Sequence, residues 1–94
     1  VSADRALQMG LVNQVVEEGE ALAAAMKMAG RIAKRGPVAI RMVKDVVARG
    51  IQEPDMEKAI DIETKAWPKL FSTEDQKEGM RAFIEKRKPV YQNK

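Results

Sequence analysis

The sequence predicts a mainly α chain of about four to five helices with one short extended stretch, and three observations carry that reading. Apolar residues recur at helical spacing through residues 20–35, 37–50 and 54–67. Glycine and proline stand between those runs, at Gly36-Pro37, Gly50, Pro54 and Pro89. Only Leu11-Val12-Asn13-Gln14-Val15-Val16 is rich in β-prone side chains.

Taken in order, Ser2 is placed to cap a short helix over residues 3–9, with Asp4 in its first turn and Gly10 at its stop. The β-prone stretch follows as an extended segment or edge strand, and Glu17-Glu18-Gly19-Glu20 turns the chain. The next helix spans 20–35, with Leu22, Ala25, Met26, Ala29, Ile32 and Ala33 on one face. Pro37 suits the first turn of a helix whose apolar stripe is Ala39, Ile40, Val43, Val46 and Val47, and Gly50 is read as its stop. Pro54 opens a third long helix, which Pro68 should end or kink by removing a backbone donor. Thr73 with Gln76 fits a capping box for the last helix, reinforced by Glu74 and Asp75. Met80, Phe83 and Ile84 supply its apolar side, and Pro89 ends it.

Composition narrows the chemistry. A chain of 94 residues makes one small domain at most. It has no cysteine and no histidine, which removes disulfides, thiolate or imidazole metal sites, histidine general bases and Ser–His or Cys–His pairs. No apolar run approaches the roughly 20 residues that cross a bilayer, and a cytoplasmic location is expected. The chain opens Val1-Ser2-Ala3-Asp4 without an initiator Met or a signal-peptide pattern, as a piece of a longer protein would. The net charge of +3 sits entirely in the tail, because residues 1–84 balance and Lys86, Arg87, Lys88 and Lys94 face Glu85 alone beyond them. A nucleic-acid binder spreads basic residues along a face, so no nucleic-acid partner is expected.

A few residues invite a functional reading. Glu17/Glu18 and Glu74/Asp75 are adjacent carboxylates, but each pair lies at a helix start, where acids complement the dipole. Glu63 falls on the apolar side of its helix between Ile60 and Trp67, and is read as a buried carboxylate pinned by a hydrogen bond or salt bridge to a neighbouring helix, in preference to a catalytic role. Gly79, inside the last helix, either admits close approach of a backbone or ligand or is simply tolerated. Lys86-Arg87-Lys88 is a solvated helix end, or else, beside an exposed Phe83, a place for a phosphate with an adjoining aromatic base. The six glycines are too scattered for a phosphate loop.

Two stretches add a resemblance. Val1-Ser2-Ala3-x2-Ala6-x3-Gly10-Leu11-Val12-Asn13-x-Val15-Val16 resembles the segment that follows the catalytic core of crotonase (enoyl-CoA hydratase/isomerase) family proteins. Glu63-x3-Trp67-x3-Phe71-x-Thr73-x-Asp75-x2-Glu78-Gly79-x2-Ala82-Phe83-x-Glu85-Lys86-Arg87-x-Pro89 is similar to the C-terminal signature of that family. Between them, Pro37-x-Ala39-x4-Lys44 matches its proline-initiated helix. The resemblance implies that residues 1–94 form a single C-terminal helical segment of a crotonase-like fold, without the N-terminal ββα-spiral core. It implies a parent that binds acyl-CoA thioesters as substrate, needs no tightly bound cofactor, and assembles as a homo-oligomer, trimer or hexamer. The enolate-stabilising backbone amides and the two glutamates of the hydratases belong to the core. No catalytic and no metal-ligating residue is therefore expected in this chain. The aromatic and lysine of the AF-x-EK segment approach the adenosine-phosphate end of CoA in relatives, and those positions are Phe83 and Lys86. The other class kept open is a non-enzymatic helical module that self-associates through its apolar stripes.

Overall fold

The computed structural model describes residues 1–94 and contains five helices and no strand. They are α1 (Ala3–Gln8), α2 (Ala21–Ala33), α3 (Pro37–Gln52), α4 (Met56–Leu70) and α5 (Glu74–Ile84). The chain forms two compact units, Val1–Ile32 and Ala33–Lys94.

In the first unit, the Ser2 hydroxyl accepts the Arg5 N–H and caps α1. The helix closes on a Schellman turn: Gly10 takes a φ of 74°, its N–H reaches the Leu7 carbonyl, and the Leu11 N–H reaches Ala6. Of the two readings of residues 11–16, extended segment or edge strand, the edge strand is not realised. Residues 11–16 have no ladder partner, and β-prone side chains alone do not satisfy backbone groups. Asn13, Gln14 and Val16 instead line a shallow hollow with Ala21, Ala24, Ala25 and Met28 of α2. A turn follows, in which the Glu20 N–H bonds the Glu17 carbonyl and Gly19 takes a φ of 84°. Positive φ at the third residue is the requirement of a type II turn, which glycine meets without strain.

The second unit begins with α3 and α4, which pack on each other across a three-residue connection. Gly50 does not stop α3; the helix runs two residues beyond it, and the Glu53 N–H closes on the Gly50 carbonyl. A lone glycine costs a helix roughly 1 kcal/mol, too little to end one whose neighbours are paired. The cap of α4 is Asp55 rather than Pro54, its carboxylate accepting the Glu57 and Lys58 N–H groups. Pro68 sits inside α4, and the helix continues to Leu70. A proline so near the end displaces only one of the last ladder bonds. Tight bonds from Phe71, Ser72 and Thr73 back to Pro68, Lys69 and Leu70 then finish the turn.

Little of either unit is interior. The buried apolar residues are Ala6, Ala66 and Ala82, and no large side chain is fully buried. The stripes that the helical periodicity marks are only partly covered: Ala39, Ile40 and Val46 are half-buried and Ala66 is buried, while Leu22 and Met26 on α2, Val43 and Val47 on α3, and Ile60 and Trp67 on α4 stay exposed. Trp67 and Phe71 meet edge to face, with ring centroids 6.1 Å apart, yet both remain exposed.

Candidate functional site

The C-terminal ten residues and α5 build the most organised polar site in the chain. Thr73 caps α5, its hydroxyl accepting the Gln76 N–H. The reciprocal half of the capping box is absent, because the Thr73 N–H is already bonded to Leu70. Lys77 pairs with Glu74 at 2.9 Å and holds that carboxyl below its ordinary range. One turn later the helix departs from the expected pattern. Met80, Phe83 and Ile84 face outward, and the covered side consists of Asp75 and Ala82 with Glu78 and Gly79 partly covered. What covers them is the tail of the chain itself.

Asp75 is only 5% exposed. Its two carboxylate oxygens accept the Gln92 N–H at 2.7 Å and the Asn93 N–H at 2.9 Å, while its own N–H donates to the Lys94 carbonyl. Glu78 takes the Arg87 guanidinium as a two-toothed fork, Nη1 to Oε1 at 2.6 Å and Nη2 to Oε2 at 3.1 Å. The same Oε1 also accepts the Val90 N–H at 3.0 Å. These donors favour the carboxylate and pull the Glu78 carboxyl down to about 2. In return, Glu78 and Glu85 raise the Arg87 guanidinium above its ordinary value. Between these two carboxylate anchors lies the Tyr91 ring, against Gly79 and Gly36. A Cβ added at Gly79 would stand 3.3 Å from the Tyr91 hydroxyl oxygen. Gly79 does admit a close approach, but by a side chain of the same unit and not by the backbone or ligand expected.

Lys86 is not on the helix. The sequence reads as a helix end over residues 86–88, beside Phe83, but α5 ends at Ile84 with Glu85 as its cap, and Lys86 follows with a φ of 53°. The Lys86 N–H bonds the Phe83 carbonyl and the Arg87 N–H bonds Ala82, so the chain leaves α5 through a second Schellman turn. Gly10 fills the left-handed position of the first such turn, whereas a lysine fills it here. Phe83, 82% exposed, stands on the last turn. Neither Lys86 nor Lys88 has a carboxylate partner, whereas Arg87 between them has two.

Glu63 is exposed and makes no hydrogen bond or ion pair, so it is not the buried pin expected from its position. It lies on the rim of an apolar cavity of about 260 Å³ between α3 and α4, with Met42, Val43, Val46, Val47, Ala66, Trp67 and Leu70. A carboxylate at an open rim keeps its hydration and requires no partner. No group of three or more acidic side chains is placed to hold a metal ion. No helix is long and apolar enough to cross a membrane.

Known proteins share this architecture. The family model described as enoyl-CoA hydratase/isomerase matches residues 1–94. The chain is 47% identical over 88 residues to a short-chain-enoyl-CoA hydratase of Clostridium acetobutylicum, covering 94% of this chain and 33% of that protein. It is 45% identical over 94 residues to a crotonyl-CoA hydratase of Syntrophomonas wolfei, covering 100% of this chain and 36% of that one. Among solved structures, an enoyl-CoA hydratase from Bacillus anthracis superposes with a TM-score of 0.93 at 36% identity, over 100% of this chain and 36% of that one. The chain thus spans about a third of the length of the relatives it matches, and the regular elements of that third are all helices. With every residue inside the family model and five helices overlaying those of a solved member, the chain belongs to the enoyl-CoA hydratase/isomerase family.

Proposed function

We propose that residues 1–94 are the C-terminal helical segment of an enoyl-CoA hydratase, a lyase that hydrates 2-enoyl-CoA esters to 3-hydroxyacyl-CoA. Both compact units belong to that one segment on this reading, and the parent works in the cytoplasm on acyl-CoA without a tightly bound cofactor. The segment contributes oligomer contacts and part of the CoA pocket, while the reacting groups lie elsewhere in the parent. The carrying observation is the family match over all 94 residues together with relatives named as enoyl-CoA hydratases. Within the segment no carboxylate cluster suggests itself as an acid–base pair: both oxygens of Asp75 and of Glu78 are engaged by donors from the tail.

Phe83 and Lys86 are the residues proposed to meet the adenosine-phosphate end of CoA. The exposed ring of Phe83 is free to cover a base, and the unpaired ammonium of Lys86 is free to meet a phosphate. A non-glycine residue in the left-handed region costs roughly 1–2 kcal/mol, and such residues persist where a function retains the side chain. The exposed residues of the apolar stripes support the oligomer contacts, and they favour equally a second reading in which the chain acts as a self-associating helical module. Hydration of crotonyl-CoA, followed by loss of absorbance of the conjugated thioester, separates the two. The complete polypeptide turns over on the first reading and the 94-residue chain alone does not. A complete polypeptide without turnover on any 2-enoyl-CoA would leave the second.

A further inference from the structure

We propose that Glu78 and Arg87 are positioning residues for Lys86: their ion pair fastens the C-terminal strap, holds Lys86 in its left-handed backbone conformation, and so aims its ammonium at the phosphate of the CoA ester. This inference rests on the Lys86 contact proposed above.

The backbone holds a conflict at the end of α5. Lys86 at a φ of 53° sits in a region that its side chain disfavours, and left alone the residue relaxes towards negative φ. Relaxation would swing residues 87–94 away and break the bond from the Arg87 N–H to Ala82. Something must oppose it, and the contacts on either side of Lys86 identify what. The bond from the Arg87 Nε to Glu85 joins only the two neighbours of Lys86 and does not tie the tail back along α5. The fork from Arg87 to Glu78 spans nine residues and exists only when the chain turns back on α5. Val90 closes onto the same carboxylate, and further along Gln92 and Asn93 close onto Asp75. Glu78 is therefore the first anchor after the turn, and Lys86 is the residue whose direction it sets. Glu78 is engaged by Arg87 and Val90, and Arg87 by Glu78 and Glu85, which leaves Lys86 and Lys88 without carboxylate partners and Lys86 at the head of the strap.

A double-mutant cycle in the complete polypeptide tests this. KM and kcat for a 2-enoyl-CoA ester are measured for Glu78→Ala, Lys86→Ala and the pair. Glu78→Ala is expected to raise KM severalfold with kcat little changed. Lys86→Ala is expected to raise it about tenfold. The double variant should be no worse than Lys86→Ala alone, because aim is irrelevant once the ammonium is gone. Glu78→Gln keeps an oxygen for Arg87 and Val90 and should recover part of the loss. If Glu78→Ala does not fold, Glu78→Gln and Arg87→Lys carry the same cycle with the same sign. A normal KM in the Glu78 variants beside a raised one in Lys86→Ala overturns the positioning role alone, as does a double variant in which the two losses add. A normal KM in Lys86→Ala overturns the CoA contact and the positioning role together.

Discussion

Replacing Lys86 with glycine and with alanine gives opposite signs according to where the residue sits, and the structure fixes the sign. Both substitutions remove the charge, so any helix-dipole contribution cancels between them. Inside a helix, glycine is roughly 1 kcal/mol worse than alanine. At a φ of 53°, alanine retains a Cβ that costs roughly 1–2 kcal/mol, while glycine forfeits roughly 0.5–1 kcal/mol of backbone entropy. The difference leaves Lys86→Gly more stable than Lys86→Ala by about 0.5–1 kcal/mol, the reverse of the helical order. The local assay is native-state hydrogen exchange at the Lys86 and Arg87 amides, whose bonds to Phe83 and Ala82 define the turn. Protection in Lys86→Gly should exceed that in Lys86→Ala by about two- to fivefold, since about 0.6 kcal/mol is a factor of e. Arg81, exposed in the interior of α5, is the control, and there the alanine variant should be the better protected. Alanine ahead of glycine at position 86 would refute the left-handed turn and return Lys86 to the helix.

Other consequences are checked more briefly. Because the Glu78 carboxyl is depressed from 4.5 to about 2, its hold on the strap is complete above about pH 4.5 and is lost as the pH falls through about 2. Arg87, the Val90 N–H and, more distantly, Arg81 are the groups that face it, and all favour the ionised form. Tyr91 fluorescence or strap proteolysis across that window should report release, and a strap unchanged down to pH 2 would contradict the assignment. The isolated 94-residue chain should self-associate, because Trp67, Phe71, Met80 and Phe83 are all exposed; a monomeric sedimentation profile at high concentration would show that the helices cover one another. Asp75→Asn keeps one acceptor oxygen but puts an amide donor where the second tail N–H arrives, so the Gln92 and Asn93 amides should exchange faster than in the parent chain.

Much of the architecture was legible in the residues. Helical spacing and the Gly36-Pro37 junction located α2 and α3, and Ser2 and Thr73 announced their caps through the chemistry of a hydroxyl before a helix. The failures share a cause. Gly50 as a stop and the edge-strand alternative for 11–16 were judged by local preference, and both outcomes turned on backbone partners that preference does not report. Glu63 was judged by its position on an apolar stripe, but a stripe says which way a side chain points, not whether anything covers it. The strap was missed because four cations against one acid looked like a solvated tail, and its anchors, Asp75 and Glu78, had already been explained as helix-start acids or motif residues. One signal was available: glycine inside α5, at position 79, marks a surface that something approaches closely, and Tyr91 is the only tyrosine of the chain. The left-handed turn at Lys86 carried no signal at all, since lysine is not the residue that conformation prefers.

The claim that matters most is that this helical segment supplies a CoA-phosphate contact through Lys86, and calorimetric titration of CoA into the complete polypeptide tests it directly. A charge-assisted lysine–phosphate bond contributes roughly 1.5–3 kcal/mol when sheltered and less when solvated. The wild-type protein should therefore bind CoA about tenfold more tightly than Lys86→Ala at low salt, with the gap narrowing as ionic strength rises. Equal affinities at low and high salt, in a variant that keeps its thermal stability, would contradict the account.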